Sequence, residues 1–208
     1  LDIVIVLAFI GTAVALTLAP GPDILFVIVQ SIAQDKKAGI ATALGLCSGL
    51  LVHITAAAIG ISALIYQSSL AFSIVKYAGA AYLLYLAWQA FRSREKAALD
   101  ADAQPSMQYQ ALYRKGIVMN LLNPKVSLFF LALLPQFTHE GAVPVSIQMI
   151  IFGLLFLLQA FVIFSLVSIL ASKTGRFIFN NPMISRRMNI IQGSLFTVIG
   201  LQILFSNK

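Results

Sequence analysis

Residues 3–32, 39–65, 70–91, 116–137, 145–171 and 188–205 form six apolar runs. Each is long enough to cross the roughly 30 Å hydrocarbon core of a bilayer as a helix of about 20 residues. A soluble domain built from them would need an apolar core far larger than its own surface could cover. Charge agrees: Asp, Glu, Lys and Arg make up 10% of the chain, where soluble domains carry about 25%. The chain therefore reads as an all-α membrane protein with six transmembrane helices.

The net charge of +7 does not point to nucleic acid, because the cations form no arm or single face with interleaved aromatics. They sit in alternate gaps between runs. Lys36 and Lys37 lie between the first and second, Arg92, Arg94, Lys96, Arg114 and Lys115 between the third and fourth, and Lys173, Arg176, Arg186 and Arg187 between the fifth and sixth. The other two gaps hold no Lys or Arg. Cations mark the cytoplasmic side, so both termini are expected outside. The first run has no basic stretch ahead of it and continues through a break, so it reads as a retained span rather than a signal peptide.

The longest polar gap divides the chain into residues 1–91, a cytoplasmic connector 92–112, and residues 113–208, together one membrane domain. Three spans per half is an odd number, so the second half should run through the membrane inverted relative to the first. Aligning spans three and six matches Gly79 with Gly193, Tyr82 with Phe196 and Phe91 with Phe205. Such inverted repeats place their sites near the midplane, at interrupted helices in corresponding positions.

Two interruptions correspond in this way. Pro20-Gly21-Pro22-Asp23 breaks span one, and Asn123-Pro124-Lys125 breaks span four. Proline removes a backbone hydrogen bond and clashes with the preceding turn, so each span should be two helical pieces. Pro22 followed by Asp23, and Asn123 followed by Pro124, are helix-start patterns. Each break should thus expose the N–H groups of a half-helix N-terminus, which attract a carboxylate.

Asp23 is the one acidic residue well inside a run and Lys125 the one basic residue; Lys76 lies near a span end, where its stem can carry the ammonium outward. A lone charge at the bilayer centre costs about 2.5–3.5 kcal/mol on insertion scales, so the two charges need each other or a wet cavity. They either pin the halves together or line a transport site. In the second case Asp23 takes a substrate ammonium and exchanges a proton, while Lys125 and the N–H groups after Asn123 take a carboxylate. Gly21, Pro22 and Pro124 shape the breaks, and Asn120, on the same helix face, offers an amide to carbonyls that a proline leaves free.

Ala41, Gly45, Gly49, His53 and Ala57 recur every fourth residue in span two, a spacing that lets helices approach closely. His53 should therefore face protein, as a satisfied hydrogen-bonding residue or a second proton-coupling candidate beside Asp23. Gln159 and Gln192 read as interhelical hydrogen-bonding groups, and Tyr77, Tyr82, Tyr85 and Trp88 as interface-belt residues. Cys47 is the single cysteine, which disfavours a thiol–disulfide redox carrier, since that needs a cysteine in each half. His53 and His139 are too far apart in sequence to suggest a metal site, no cofactor is expected, and no nucleophile–base pair suggests an enzyme. A membrane scaffold or assembly subunit is the alternative that intramembrane charges disfavour.

The chain resembles the LysE/RhtB family of bacterial amino-acid exporters over nearly its whole length. The resemblance rests on Pro20-Gly21-Pro22-Asp23, on Gly39 to Gly49 with His53, on Gly79-Ala80-Ala81-Tyr82-Leu83 with Trp88, and on Gly116 followed by Asn120-Leu121-Leu122-Asn123-Pro124-Lys125. Pro22-Asp23 looks like the threonine/homoserine/leucine exporter branch; the lysine/arginine branch has Gln-Asn there. The resemblance implies a six-span transporter of the bacterial inner membrane, exporting neutral amino acids and driven by the proton-motive force. Its partners would be an amino-acid substrate, the bilayer and, given the small-residue stripe, a second copy of the chain.

Overall fold

A computed structural model describes residues 2–19, 21–61, 69–92, 106–179 and 182–205. Among the described residues all regular structure is helical. Helix α1, Ile3–Leu18, starts at Asp2, whose carboxylate accepts from the Val4 N–H at 2.9 Å. Helix α2, Pro22–Ala33, follows at 56° to it. Helix α3, Lys36–Ala56, runs on into a π turn, Ala57–Ile61, and α4 spans Ser69–Arg92.

In the second half α5 covers Tyr109–Leu121. Helix α6, Pro124–Leu128, passes into a π turn, Phe129–Leu133, and a 3₁₀ turn, Leu134–Phe137. The bend between α5 and that composite segment is 48°. Helix α7 spans Val145–Phe179 and α8 spans Pro182–Phe205.

Both expected breaks are therefore present, each flanked by helix. Among the described residues Lys36–Gly60 and Val145–Thr174 are long and apolar enough to cross a membrane, and counting each bent pair as one span gives four. The third and sixth runs are helical too, as α4 and α8. Several helices outrun the expected limits: α5 starts at Tyr109, inside the stretch assigned to the connector, and α7 and α8 extend into the basic gap between them. Residues 93–105 of the connector lie outside the described residues.

Helix α3 is the centre of the packing, against α2, α5 and α7, while α7 also packs on α1 and α2, and α4 packs on α8. Only 28% of the α7 apolar window is buried. A helix apolar on all sides but mostly uncovered suits lipid as its solvent. The small-residue stripe does pack: a Cβ on Gly116 would lie 2.6 Å from the Thr42 carbonyl oxygen and 2.9 Å from the Leu46 nitrogen, and one on Gly45 would collide with the Tyr113 carbonyl. Backbone meets backbone there, between a helix of the first half and one of the second.

At the turn between α2 and α3, Gln34 holds the backbone of Met107 in two hydrogen bonds, donating at 3.0 Å and accepting at 3.1 Å. Tyr109 donates to Asp35 at 2.7 Å. The Asp35 carboxyl, which also caps α3 through the Ala38 N–H, is held below the usual carboxylate range, first by that N–H and then by the Tyr109 hydroxyl. These bonds seat the start of α5 against the first half.

Candidate functional site

The two breaks meet. Lys125 Nζ lies 3.0 Å from Asp23 Oδ1, and both side chains are 6% exposed. Lys125 also donates to the carbonyls of Leu16 and Ala19, each at 3.4 Å. The Leu16 carbonyl has no helical partner four residues on, because residue 20 is a proline and lacks the N–H. The ammonium of the second half thus closes the α1 C-terminus left open by the first break.

Each charge sits at the helix end that favours it. Asp23 is in the first turn of α2, at the positive end of a helix dipole, and Lys125 is beside the negative end of α1. An ammonium has three N–H donors, and Asp23, Leu16 and Ala19 account for all three. Gly21 makes room for this: a Cβ there would stand 2.8 Å from Asp23 Oδ1 and 3.0 Å from Lys125 Nζ.

The two half-helix N-termini differ. Pro22 is the first residue of α2, and Gly21 ahead of it supplies no side-chain cap. Asn123 caps α6, with Pro124 in the first turn: its Oδ1 accepts from the Lys125 N–H at 3.0 Å. The sequence led us to expect free N–H groups after Asn123, and the side chain of Asn123 itself takes one of them. What this break leaves open instead is side-chain atoms, since Asn123 Nδ2 and Asn120 Oδ1 are buried without hydrogen-bond partners. One is a donor and the other an acceptor.

The carbonyl freed by Pro124 is that of Asn120, four residues back. It is served not by the Asn120 amide, as expected from sequence, but by the Asn123 N–H at 3.0 Å and by His53 Nε2 at 3.2 Å. His53 must carry its proton on Nε2 to donate to a carbonyl. Its ring stacks on Phe130, 5.8 Å between centroids. The satisfied-histidine reading is thus the one this geometry supports. Replacing His53 by Ala removes a hydrogen bond worth about 0.5–1.5 kcal/mol, and His53→Gln, with an amide donor, should recover part of it; Tm in detergent reads both.

Lys76 requires a correction. Expected to reach outward, it is instead 5% exposed, within α4 and with its Nζ 5.5 Å from the Tyr77 ring centroid. Lys76 lies about two turns from the Ser69 end of α4 and more than four from its Arg92 end, and packed neighbours cover its stem. Gln159 does bond between helices, donating to Thr17 Oγ1 at 2.9 Å, whereas the Gln192 side chain lies outside the described residues. Tyr77, Tyr85 and Trp88 face outward, as belt residues should.

On the α1 side of the ion pair the chain builds an aromatic cluster. Phe9 lies 4.7 Å from Phe152, 5.3 Å from Phe137 and 6.0 Å from Phe129, and Phe129 lies 4.6 Å from Phe156. Sequence reasoning passed over these rings because single phenylalanines in apolar runs carry no pattern. It also passed over Gln30, which is 1% exposed on α2.

The family model for LysE type translocators matches residues 14–207. A Vibrio cholerae protein described as an uncharacterized membrane protein is 36% identical over 97% of both chains. The homoserine/homoserine lactone efflux protein of Salmonella typhimurium is 33% identical over 93% of this chain and 92% of its own. The membrane protein YrhP of Bacillus subtilis is 33% identical over 64% of this chain and 67% of its own. No solved structure matches the chain.

Proposed function

The chain belongs to the LysE type translocator family, and from that premise we propose that it exports a neutral amino acid across the bacterial inner membrane, with protons moving the other way. The observation that carries this reading is the buried ion pair between Asp23 and Lys125. It joins two broken helices from opposite halves of the chain, and residues of this kind inside membrane helices mark substrate and proton pathways. The Salmonella homoserine/homoserine lactone efflux relative suggests a substrate of that size and charge.

In the proposed architecture six spans form two inverted halves, 1–91 and 113–208. A two-fold between them would pair α3 with α7 and α4 with α8, and would make the contact of α3 with the span-four pieces mirror that of α7 with α1 and α2. Helix α3 packs on α5, the first of the span-four pieces, while α7 packs on both α1 and α2; the contacts with α5 and α1 are the ones that support the reading. Both termini would lie outside.

The chemistry follows from the site. A substrate ammonium competes with Lys125 for Asp23, while Lys125, released, joins Asn123 Nδ2 in binding the carboxylate. Asn120 Oδ1 is a further acceptor for the ammonium. Protonation of Asp23 from outside removes its charge and with it the hold on the ammonium, so product leaves as a proton enters. The protein is a carrier in this scheme and makes or breaks no covalent bond of the substrate.

Purified protein in proteoliposomes should move labelled L-homoserine, and other small neutral amino acids to differing extents, faster with an opposed pH gradient than without one. Flux of none of them would remove the export reading and leave the scaffold alternative. Flux indifferent to the gradient would remove the proton alone. The saturated Lys125 favours a second reading, in which the pair is purely a structural pin; the variants that separate the two are treated in the Discussion.

A further inference from the structure

Polar side chains on and just after α2 are satisfied with one exception among the described residues. Asp23 has Lys125. Ser31 donates to the Val27 carbonyl at 2.6 Å and lies 2.9 Å from Ser168 Oγ, whose own proton goes to the Lys36 carbonyl at 2.8 Å. Gln34 and Asp35 hold the start of α5. Gln30 has both amide atoms, Oε1 and Nε2, buried without a hydrogen-bond partner.

A buried amide without partners costs stability, and a leucine of similar length would remove that cost. The packing thus gives no reason for glutamine here. Its position does. Seven residues separate Gln30 from Asp23, two helical turns, which puts both on one face about 10 Å apart along the axis. Side chains on a helix lean toward its N-terminus, so the Gln30 amide leans back toward the ion pair. Val27, fully buried, lies between them on that face.

The face has a direction. The aromatic cluster around Phe9 and Phe129 lies on the α1 side of the pair, whereas α2 runs from Asp23 toward the Lys36–Lys37 turn. Gln30 therefore lies between the ion pair and the basic, cytoplasmic end. A primary amide has donor hydrogens on nitrogen and an acceptor oxygen. A zwitterion needs both, one for its carboxylate and one for its ammonium.

We propose that Gln30 is a second substrate-binding station, which engages the charged groups of an amino acid on the cytoplasmic side before Asp23 and Lys125 receive it. The proposal rests on the export reading. It assigns Gln30 a role in capture from the cytoplasm and none in release outside.

The test uses full-length Gln30→Leu and Gln30→Asn in proteoliposomes, with labelled L-homoserine presented to each face in turn and Tm measured in detergent. Leucine should fold with an unchanged or higher Tm and raise KM for the cytoplasmic face roughly ten- to hundredfold, the scale of a lost hydrogen bond to a charged group. KM for the outer face should not move. Asparagine, with the same amide on a shorter stem, should fall between leucine and wild type, and it serves as the test if the leucine variant does not fold. Unchanged KM for the cytoplasmic face, whichever way Tm goes, overturns the assignment while wild-type flux stands. Equal loss from both faces overturns it as well. If the wild type moves no labelled amino acid, the export reading fails and takes this proposal with it.

Discussion

Asp23→Asn should abolish transport and destabilise the fold together, while Asp23→Asn combined with Lys125→Gln should recover the fold and not the flux. Removing one partner of a buried ion pair leaves an uncompensated charge and costs about 3–5 kcal/mol, whereas neutralising both can be close to neutral. Glutamine at 125 retains an amide donor for the Leu16 and Ala19 carbonyls that the lysine now serves, and the Asn–Gln pair can bond across the gap that the charges span at 3.0 Å. The double variant thus keeps the pin and removes the charges.

The two roles of the pair predict opposite results for that variant. If Asp23 and Lys125 hold the halves together and do nothing else, a folded double variant transports as the wild type does. If they exchange between each other, substrate and proton, the folded double variant is inert. The measurements are Tm in detergent and labelled L-homoserine flux in proteoliposomes. Full transport by Asp23→Asn alone would sink the binding role outright.

The second large effect is expected far from any charge. Gly116→Ala adds one methyl group, yet the atoms in its way are the Thr42 oxygen at 2.6 Å, the Leu46 nitrogen at 2.9 Å and Gly45 Cα at 3.1 Å. All three are backbone, so no rotamer change makes room, and α3 and α5 must separate. Overpacking of a tight interface costs about 1–3 kcal/mol, and here the strain spreads along α3, against which α2, α5 and α7 all pack. The variant should show a markedly lower Tm and reduced yield of folded protein. The same change at Gly11, which has nothing within 4 Å of a Cβ, should leave Tm unmoved; equal effects at the two positions would contradict the close-approach account.

Much of this architecture is legible from sequence for physical reasons. Two prolines around Gly21, and one after Asn123, remove N–H groups that a helix in lipid cannot do without, so the breaks announce themselves. Lone charges of opposite sign at those breaks announce their pairing. The four-residue spacing through Gly45 and Gly49 likewise points to a helix contact, and the contact is there.

What the sequence hid depends on three-dimensional neighbours. Nothing in one dimension says that the Asn120 carbonyl finds His53 on another helix, or that Lys125 reaches back to α1. Lys76 looked near enough to a span end to extend outward, but burial depends on what surrounds α4, not on residue count. Gln30 looked like any polar residue in an apolar run. Only its lack of partners in the folded chain sets it apart from Gln159, which found Thr17.

The two π turns, Ala57–Ile61 and Phe129–Leu133, come one from each half and touch. A π turn accommodates a surplus residue in an α-helix, and such turns are frequent at functional sites. If that surplus is absorbed, everything beyond it swivels by about 100°, the angle one residue subtends at 3.6 per turn. For the second turn, the part that swivels begins at Leu134 and includes Phe137, while Lys125 stays where it is. Phe137, 5.3 Å from Phe9, and Lys125, 3.0 Å from Asp23, thus lie on opposite sides of an irregular turn in one backbone. A change of winding there alters the angle between the two contacts while leaving each residue in its own helical segment.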